Sequence, residues 1–433
     1  MAIDKNKTRE LLKTIDGLAE SILPKDISAD TKKWILTKVF GPAMEDIKKL
    51  VDDSRPPVIF LMGRSGHGKS SIVNALANKK VAETSTVKPG TKEITRFEIS
   101  FEEAHSSWTI YDSRGYFETC EQDSESFDNS KILLLKSIVK CKPDVLLHVI
   151  SMTEVRNLSM DIQFIKEISH TMHTEYGSDI PTLIVLNNAD LLGDPDEWPP
   201  EKNAVKSGLI KEEIEYLVKD ILKIYSMTPT NNKNSLYGVN VTDNTYLGVI
   251  PTCALWENNS DERWNIENLV DYIGNNLPDE ALLLFSQAIK RKHLLQKISN
   301  SLIKRFTTLA GSIGANPLPV GDIFILTPLQ ILLIVIIAGL SCRDINKSNY
   351  EKVITEFSTA TSIVVGGGMA LRELARWILD ATGVGIPVAA LISGAIAGAG
   401  TYSIGKLAEA YFFYNEIKNP KELYNEGEKY LKK

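Results

Sequence analysis

A stretch of glycines, serines and one lysine has the composition of a phosphate-binding loop. The segment GRSGHGKS, residues 63–70, fits the pattern G-x-x-x-x-G-K-[ST]. Glycines let the backbone N–H groups turn inward around phosphates, and the N-terminus of a following helix adds its positive dipole end. Lys69 would reach the β- and γ-phosphates, and Ser70 would bind Mg²⁺. The residues expected to hold the nucleotide here are Gly63, Gly66, His67, Gly68, Lys69, Ser70 and Ser71.

A second motif, DSRG at residues 112–115, follows the apolar run WTIY. A carboxylate at this place can hold the magnesium shell, and a glycine N–H can touch the γ-phosphate. Asp112 and Gly115 are therefore the expected residues for these two contacts. The four-residue pattern occurs often by chance, so its weight comes from its place after the phosphate-binding loop.

Two later motifs are expected to bind the base of the nucleotide. NNAD, residues 187–190, ends an apolar strand, and Asp190 would accept hydrogen bonds from the N1–H and the exocyclic amine of guanine. Adenine does not offer those donors in that arrangement, and a carboxylate left without them is costly. TCAL, residues 252–255, follows a last strand, where a backbone N–H near Cys253 and Ala254 could meet the guanine carbonyl oxygen. These motifs favour GTP over ATP.

The elements around these motifs alternate between strands and helices. This alternation predicts an α/β fold in which a mainly parallel, six-stranded sheet has helices on both faces. The asparagine-rich stretch TPTNNKNSLYGVNVTDN reads as a surface loop. The predicted strands are Val58–Met62, Thr95–Phe101, Trp108–Tyr111, Val145–Ile150, Thr182–Leu186 and Leu247–Ile250.

The order and spacing of the four motifs resemble the translation-factor-like GTPases of the bacterial Era/TrmE type, over about residues 58–288. The resemblance implies a P-loop NTPase G domain that binds GTP or GDP with Mg²⁺ and has nucleotide-dependent switch loops. It gives catalytic roles to Lys69, Thr91 and Gly115, and it makes Ser70, Thr91 and Asp112 the metal ligands. Thr91 lies in the expected first switch, TSTVKPGTKEITRF, where Thr84, Thr86 and Thr95 compete with it. Asn187 and Asp190 take the guanine-binding roles.

Three positions depart from the family pattern. Asn188 replaces the lysine that usually covers the guanine face, Tyr116 stands where some GTPases have a water-orienting glutamine, and Gly66 replaces an asparagine that can coordinate potassium. Slow hydrolysis is therefore expected, on the order of 10⁻⁴ to 10⁻² per second without a partner's arginine. Arg64, Arg114 and His67 are expected to be solvated loop residues rather than catalytic groups.

Composition divides the 433 residues into a helical N-terminal segment (1–54), the G domain (55–290) and a C-terminal helical domain (291–433). The two helical ends together form an all-α region. A formal net charge of −6 argues against a dedicated nucleic-acid binder. Four scattered cysteines and a charged N-terminus indicate a cytoplasmic location, with peripheral or inserted attachment to the inner face of a membrane as the alternative.

Three segments of the C-terminal domain carry no charge, namely Ile323–Cys342, Phe357–Leu371 and Ala381–Gly405. The last of these is long enough to span a bilayer, yet Pro328 and Pro387 are expected to interrupt two of the segments, and an all-round apolar helix also suits the centre of a compact bundle. Gly394 and Gly398 would allow helices to approach closely. The layout is similar to a bacterial domain of unknown function that follows Era-like GTPase domains, and the overall plan resembles the immunity-related GTPases.

The first functional hypothesis is a regulatory GTPase that couples its nucleotide state to a helical, membrane-associated effector domain. The alternative is a GTP-gated scaffold or membrane effector without useful hydrolysis. An ATP-using phosphotransferase ranks last because it leaves NNAD and TCAL unexplained. The partners to test are GTP, a second copy of the chain through the G domain, and a membrane or effector protein at the C-terminal helices, with no nucleic acid expected.

Overall fold

The computed structural model describes most of the chain, in two compact units. The α/β unit comprises described residues from Arg55 to Phe285, and the helical unit comprises those before Arg55 and after Phe285. The described residues are 23, 28–81, 95–101, 106–113, 124–177, 179–230, 234–257, 260–289, 291–315, 323–341, 343, 345, 349–363 and 394–432.

The helical unit begins with α1 (Ala29–Trp34) and α2 (Gly41–Asp53), joined by a π-helical turn, Ile35–Phe40. Ser28 caps α1, because its side chain accepts a hydrogen bond from the Thr31 N–H at 3.2 Å. Apolar residues four apart give α2 one buried stripe, as expected for a helix packed on one side. The buried residues of that stripe are Ala43, Ile47 and Val51.

The α/β unit is built on one eight-stranded sheet in the order β2-β3-β1-β4-β5-β8-β7-β6. The strands β3, β1, β4, β5 and β8 run parallel, β2 is antiparallel at one edge, and β7 and β6 are antiparallel at the other. The strands are β1 (Val58–Met62), β2 (Thr95–Phe101), β3 (Ser106–Asp112), β4 (Val145–Ser151), β5 (Thr182–Asn187), β6 (Met227–Pro229), β7 (Val239–Val241) and β8 (Tyr246–Pro251).

The sheet confirms the predicted fold class and adds two strands. The asparagine-rich stretch was expected to be a loop, and for β6 and β7 that prediction is wrong. Gly238 precedes β7 with φ of 130°, and a Cβ there would lie 2.8 Å from the Val249 carbonyl oxygen. This glycine lets the short β7 approach β8, a tertiary effect that the polar composition of the stretch conceals.

Helices cover the sheet, and their sequence follows the alternation expected for parallel strands. Both β4 and β5 are buried along their whole length, which is typical of central strands in such a sheet. Asp144 joins the starts of β1 and β4, since it accepts from the Val58 N–H and from both Nη atoms of Arg55. The helices are α3 (Lys69–Ala77), α4 (Ser124–Cys141), α5 (Ser159–Tyr176), α6 (Ala204–Glu215), α7 (Ile266–Asn276) and α8 (Asp279–Ala288).

The helical unit continues with five further helices in its described part, and α12 packs against α9, α10 and α13. A Cβ on Gly398 would lie 2.7 Å from Leu431 Cδ1 and 3.2 Å from the Thr307 carbonyl oxygen. Glycine is therefore needed where α12 meets α13 and α9. The helices are α9 (Gln296–Ala315), α10 (Ile323–Leu340), α11 (Tyr350–Ile363), α12 (Gly394–Glu409) and α13 (Pro420–Leu431).

The apolar helix α10 is buried along most of its described side chains. It continues through Pro328, which the sequence analysis expected to interrupt it, because one missing backbone hydrogen bond near the helix start is outweighed by burial of the apolar residues that follow. The polar Gln330 is satisfied by Thr401 Oγ1 at 3.2 Å. None of the helices within the described residues is long and apolar enough to cross a membrane. Residues 364–371 and 381–393 of the other two uncharged segments lie outside the described part.

Candidate nucleotide-binding site

The loop between β1 and α3 owes its shape to three glycines with positive φ. Gly63, Gly66 and Gly68 have φ of 147°, 81° and 85°. A Cβ on Gly63 would lie 2.1 Å from the Val149 carbonyl oxygen, and one on Gly68 would lie 2.1 Å from Asn187 Nδ2. Only glycine allows both the backbone conformation and these close approaches. The loop therefore has the open backbone that phosphate binding requires.

Lys69 is the first residue of α3, and its side chain folds back over the loop. The buried ammonium donates to the carbonyl oxygens of Gly63 and Arg64, both at 2.8 Å. Ser70 and Ser71 follow in the first helical turn, at the positive end of the helix dipole. The expected phosphate-binding residues of the loop thus lie together.

Asp112 is placed at the same edge of the sheet by its register, which pairs it with Leu61 near the end of β1. Its side chain is fully buried, as is that of Ser113, whose Oγ has no hydrogen-bond partner among the described residues. A carboxylate and hydroxyls are the hard oxygen ligands that Mg²⁺ prefers. This donor set, with the buried Ser113 hydroxyl beside it, fits Mg²⁺ bound together with a phosphate.

Several expected residues lie outside the described part of the chain. They include Thr91, the candidate ligand of the first switch, and Gly115 of the second switch, with its neighbours Arg114 and Tyr116. The roles of these four residues stay predictions.

Asn187 connects the phosphate-binding loop to both guanine motifs. Its Nδ2 donates to the His67 carbonyl oxygen at 3.1 Å, and its Oδ1 accepts from Thr252 Oγ1 at 3.2 Å. The Ala189 N–H also donates to the Thr252 carbonyl oxygen at 3.1 Å. Asn187 and Thr252 are fully buried, so these bonds lie within the structure rather than in solvent. The sheet therefore brings three motifs that are distant in sequence to one place.

Asp190 and Cys253 face each other across the two guanine motifs. Burial raises the pKa of the Cys253 thiol, and the neighbouring Asp190 carboxylate raises it further. Cys253 and Ala254 are buried, and the Cys253 backbone exchanges hydrogen bonds of 3.1 and 2.9 Å with Trp264. Asn188 has φ of 62°, and its Nδ2 donates to Ser151 Oγ at 3.2 Å. The Asn188 amide is thus bonded to the end of β4.

Two side chains of the loop are less solvated than the sequence predicts. His67 is fully buried rather than solvated: its Nδ1 donates to the Val149 carbonyl oxygen, and its Nε2 lies 3.1 Å from Glu154 Oε2. Arg64 is paired with Asp161, with its Nε 2.9 Å from Oδ2. The carboxylate partners of both side chains lie on the segment after β4. Strand β4 is adjacent to β1 in the sheet, but these partners are 80 or more residues from the loop in sequence. Local sequence context could not reveal these contacts.

Beneath the loop lies a buried histidine that the sequence analysis did not assign. Burial, with smaller contributions from His67 and Arg64, lowers the pKa of His148 to about 3. Its Nδ1 lies 3.3 Å from the hydroxyl of the fully buried Tyr246. His148 is therefore neutral at physiological pH. The sequence does not predict this buried, neutral state, because His148 is a single histidine within an apolar strand.

Comparisons with known proteins agree with this arrangement. Residues 58–188 match the family model described as a 50S ribosome-binding GTPase, and residues 281–426 match a domain of unknown function (DUF697). A probable GTP-binding protein EngB of Malacoplasma penetrans is 30% identical over 140 residues, which are 32% of this chain and 67% of that protein. The corresponding protein of the Wolbachia strain from Culex pipiens is 36% identical over 21% of this chain and 44% of its own length. The chain thus spans about two thirds of the first relative and less than half of the second.

Among solved structures, Toc33 from Arabidopsis thaliana in complex with Mg²⁺ and GMPPNP is 19% identical, with a TM-score of 0.31. The match covers 62% of this chain and 95% of that one. Era from Aquifex aeolicus, bound to GDP and AlF4⁻, is 16% identical over 60% of this chain and 68% of its own, also with a TM-score of 0.31.

Proposed function

Because the chain belongs to the P-loop GTPase family, as an EngB-like protein that binds GTP and GDP with Mg²⁺, we propose that it is a regulatory GTPase whose nucleotide state controls its helical unit. In this proposal GTP orders the first switch around Thr91 and the second switch from Asp112 to Tyr116. Reordering of such loops changes what a neighbouring domain packs against or binds. Within the family, we assign the chain to the Era/TrmE type on the order of its four motifs.

The observation that best supports this function is the double contact of Asn187. The same amide bonds the phosphate-binding loop at His67 and the guanine motif at Thr252. A nucleotide that binds this site has its phosphates and its base held by parts of one buried hydrogen-bond network. We propose that Asp190 accepts from the guanine N1–H and amine, and that a backbone N–H near Cys253 and Ala254 meets the guanine carbonyl oxygen.

At the other end of the nucleotide, we propose that Lys69 neutralises charge on the β- and γ-phosphates. Ser70, Asp112 and Thr91 would hold the magnesium ion, which neutralises the phosphate oxygens when it is bound. Gly115 would donate its N–H to the γ-phosphate. These roles are carried by this chain's hydroxyls, carboxylate and backbone, and they need no proton transfer by His67.

We propose that hydrolysis is slow when the protein is alone. The Arg64 guanidinium, which lies within the phosphate-binding loop, is bound by Asp161 and by the Asn157 carbonyl oxygen at 3.0 Å. It is therefore not placed to stabilise a transition state in another subunit. An arginine supplied in trans accelerates related GTPases by about 10³ to 10⁵. Self-association through the G domain or a separate activator would have to supply the missing charge.

A GTP-gated scaffold is the second candidate, favoured by the same bound state of Arg64. The two functions are separated by steady-state GTP hydrolysis over a hundredfold range of protein concentration, with and without lipid vesicles. The matched variants are Lys69→Ala and Lys140→Ala, the second at an exposed lysine on α4.

A regulatory GTPase predicts measurable turnover that rises with protein concentration or vesicles, is lost in Lys69→Ala and is unchanged in Lys140→Ala. A rise with vesicles alone would support the membrane-associated form of the proposal. Turnover near zero under all conditions, with GTP still bound, would favour the scaffold. Measurable turnover that is equal in the wild-type protein and in Lys69→Ala would refute the assignment of the site.

A further inference from the structure

Lys206 is a fully buried lysine whose partners are backbone carbonyl groups. Its Nζ donates to the carbonyl oxygens of Asp190, Leu192 and Asp194, at 2.9, 2.5 and 3.0 Å. Its exposed fraction is 0%, although lysine is one of the residues least often fully buried. An ammonium group has three donors, and three acceptors are present. The cation is thus fully hydrogen-bonded, and all three bonds go to one short loop.

The position of Lys206 is fixed by the start of α6. Asn203 caps this helix, because its Oδ1 accepts from the N–H groups of Val205 and Lys206 at 2.9 and 3.2 Å. The loop lies against the same helix, since a Cβ on Gly193 would be only 2.8 Å from Leu209 Cδ1. The Lys206 ammonium therefore extends from the capped start of α6 to the loop of residues 190–194, which packs closely against the same helix.

The three acceptors belong to Asp190 itself and to the second and fourth residues after it, Leu192 and Asp194. Asp190 lies in a single 3-10 turn, Ala189–Leu191, and the Ala189 N–H donates to the Thr252 carbonyl oxygen at one end of it. Asn188, before the turn, has a left-handed backbone conformation and its side chain is bonded to Ser151. Lys206 bonds the carbonyl oxygens at the other end of the turn and just beyond it.

Two aromatic side chains, the row Trp198 and Trp264, connect Lys206 to the second guanine motif, TCAL. The Trp198 ring centroid lies 6.0 Å from Lys206 Nζ, and the Trp198 and Trp264 rings form a T-shaped pair with 5.8 Å between ring centroids. Trp264 is the residue whose backbone pairs with Cys253. Trp264 Nε1 also donates to Glu201 Oε1 at 2.6 Å. Lys206 thus supports the loop of Asp190 directly and contacts the row that supports Cys253.

We propose that Lys206 is a positioning residue for base recognition, which holds Asp190 where its carboxylate meets the exocyclic amine of guanine. The inference rests on the proposed guanine-binding role of Asp190. Lys206 touches no substrate and acts through the loop backbone. It fixes the turn from behind, while the lysine expected to cover the guanine face is replaced by Asn188.

Inosine diphosphate isolates this effect, because hypoxanthine differs from guanine only by lacking the exocyclic amine. The ratio of the Kd for IDP to the Kd for GDP therefore measures the amine contact, and contributions of the phosphates and ribose cancel. A residue that merely stabilises the fold weakens both ligands equally and leaves the ratio unchanged. A residue that positions Asp190 changes the ratio.

The experiment measures this ratio by competition with a fluorescent GDP in the full-length chain. Lys206→Met keeps the aliphatic stem and removes the three donors, so we expect the ratio to fall about tenfold because the Asp190 turn is no longer held. Lys202→Met, at an exposed lysine on the adjacent turn, is the matched control and should keep the wild-type ratio. Asp190→Ala gives the ratio expected when the amine contact is lost.

The outcomes are distinguishable. A low ratio in both Lys206→Met and Asp190→Ala, with Lys202→Met unchanged, supports the inference. A low ratio in Asp190→Ala alone overturns it and leaves the guanine site intact. An unchanged ratio in Asp190→Ala refutes the guanine-binding role of Asp190 and the inference with it. If Lys206→Met does not fold, Lys206→Arg replaces it, because a planar guanidinium cannot reproduce the three bonds; an unchanged ratio in that variant also overturns the inference.

Discussion

Alanine substitution at two glycines of the phosphate-binding loop gives a matched test of the site. Gly66 and Gly68 have almost the same φ, 81° and 85°. Their surroundings differ, because a Cβ on Gly66 meets nothing within 4 Å whereas one on Gly68 lies 2.1 Å from Asn187 Nδ2. The backbone strain of alanine is therefore common to both variants, and the collision with Asn187 is specific to Gly68→Ala.

The magnitude follows from these contacts. A left-handed alanine costs about 1–2 kcal/mol, and this is the whole expected effect of Gly66→Ala. In Gly68→Ala the Asn187 amide must also leave the His67 carbonyl oxygen and Thr252 Oγ1. Two hydrogen bonds at about 1 kcal/mol each add about 2 kcal/mol. Because guanine binding needs Asn187 in its native position, this 2 kcal/mol opposes binding, and the variants should differ about 30-fold in GDP affinity.

The assay is GDP binding by fluorescence titration, with circular dichroism to verify that both variants are folded. Gly68→Ala should bind GDP about 30 times more weakly than Gly66→Ala, given the 2 kcal/mol difference. Equal affinities in the two variants would refute the argument that Asn187 couples the phosphate-binding loop to the guanine motifs. A weaker Gly66→Ala would show that strain at the loop tip matters more than the Asn187 contact.

Three further changes test separate parts of the structure. Asp190→Asn should exchange guanine for xanthine, because the new amide donates to the C2 carbonyl of xanthine; competition by XDP and GDP measures this, and retained GDP preference contradicts it. His148→Phe should reduce the stability lost on acidification: the pKa of His148 is about 3 in the folded chain and 6.5 normally, so between pH 6.5 and pH 3 the unfolded chain gains this proton and the folded chain does not. The free energy of unfolding therefore decreases as the pH is lowered, by about 2 kcal/mol at pH 5. This decrease should be absent when the variant is unfolded in urea. Asp144→Ala should lower the free energy of unfolding by about 2–4 kcal/mol, because Arg55 and the Val58 N–H lose a buried acceptor; a change below 0.5 kcal/mol would show that this anchor is dispensable.

The parts of the fold that could be predicted from sequence are those with a local signal. The apolar β-branched runs gave the six strands, and the glycine, lysine and serine spacing gave the loop between β1 and α3. The strands β6 and β7 could not be predicted in the same way. Each has only three residues and lies at or within an asparagine-rich stretch, and β7 depends on the approach that Gly238 permits to β8.

The site shows the same division. The NNAD motif predicted Asn187 and Asp190 as site residues, whereas no motif predicted the partners of His67 and Arg64. Glu154 contacts His67 and Asp161 contacts Arg64 because β4 pairs with β1. No local sequence pattern encodes this strand pairing. Lys206 also gave no signal, because an isolated lysine at the start of a helix is usually solvated. Contacts between distant segments are what the sequence pattern leaves open.

The central claim is that the nucleotide state changes the helical unit. Hydrogen–deuterium exchange of the full-length chain tests it most directly, by comparing amides of α9, α10 and α12 with GDP and with a non-hydrolysable GTP analogue. Lys69→Ala is the control that should abolish any difference. The account predicts altered protection of these helices between the two nucleotides in the wild-type protein. Identical exchange in the helical unit, with altered exchange confined to the α/β unit, would contradict the claim.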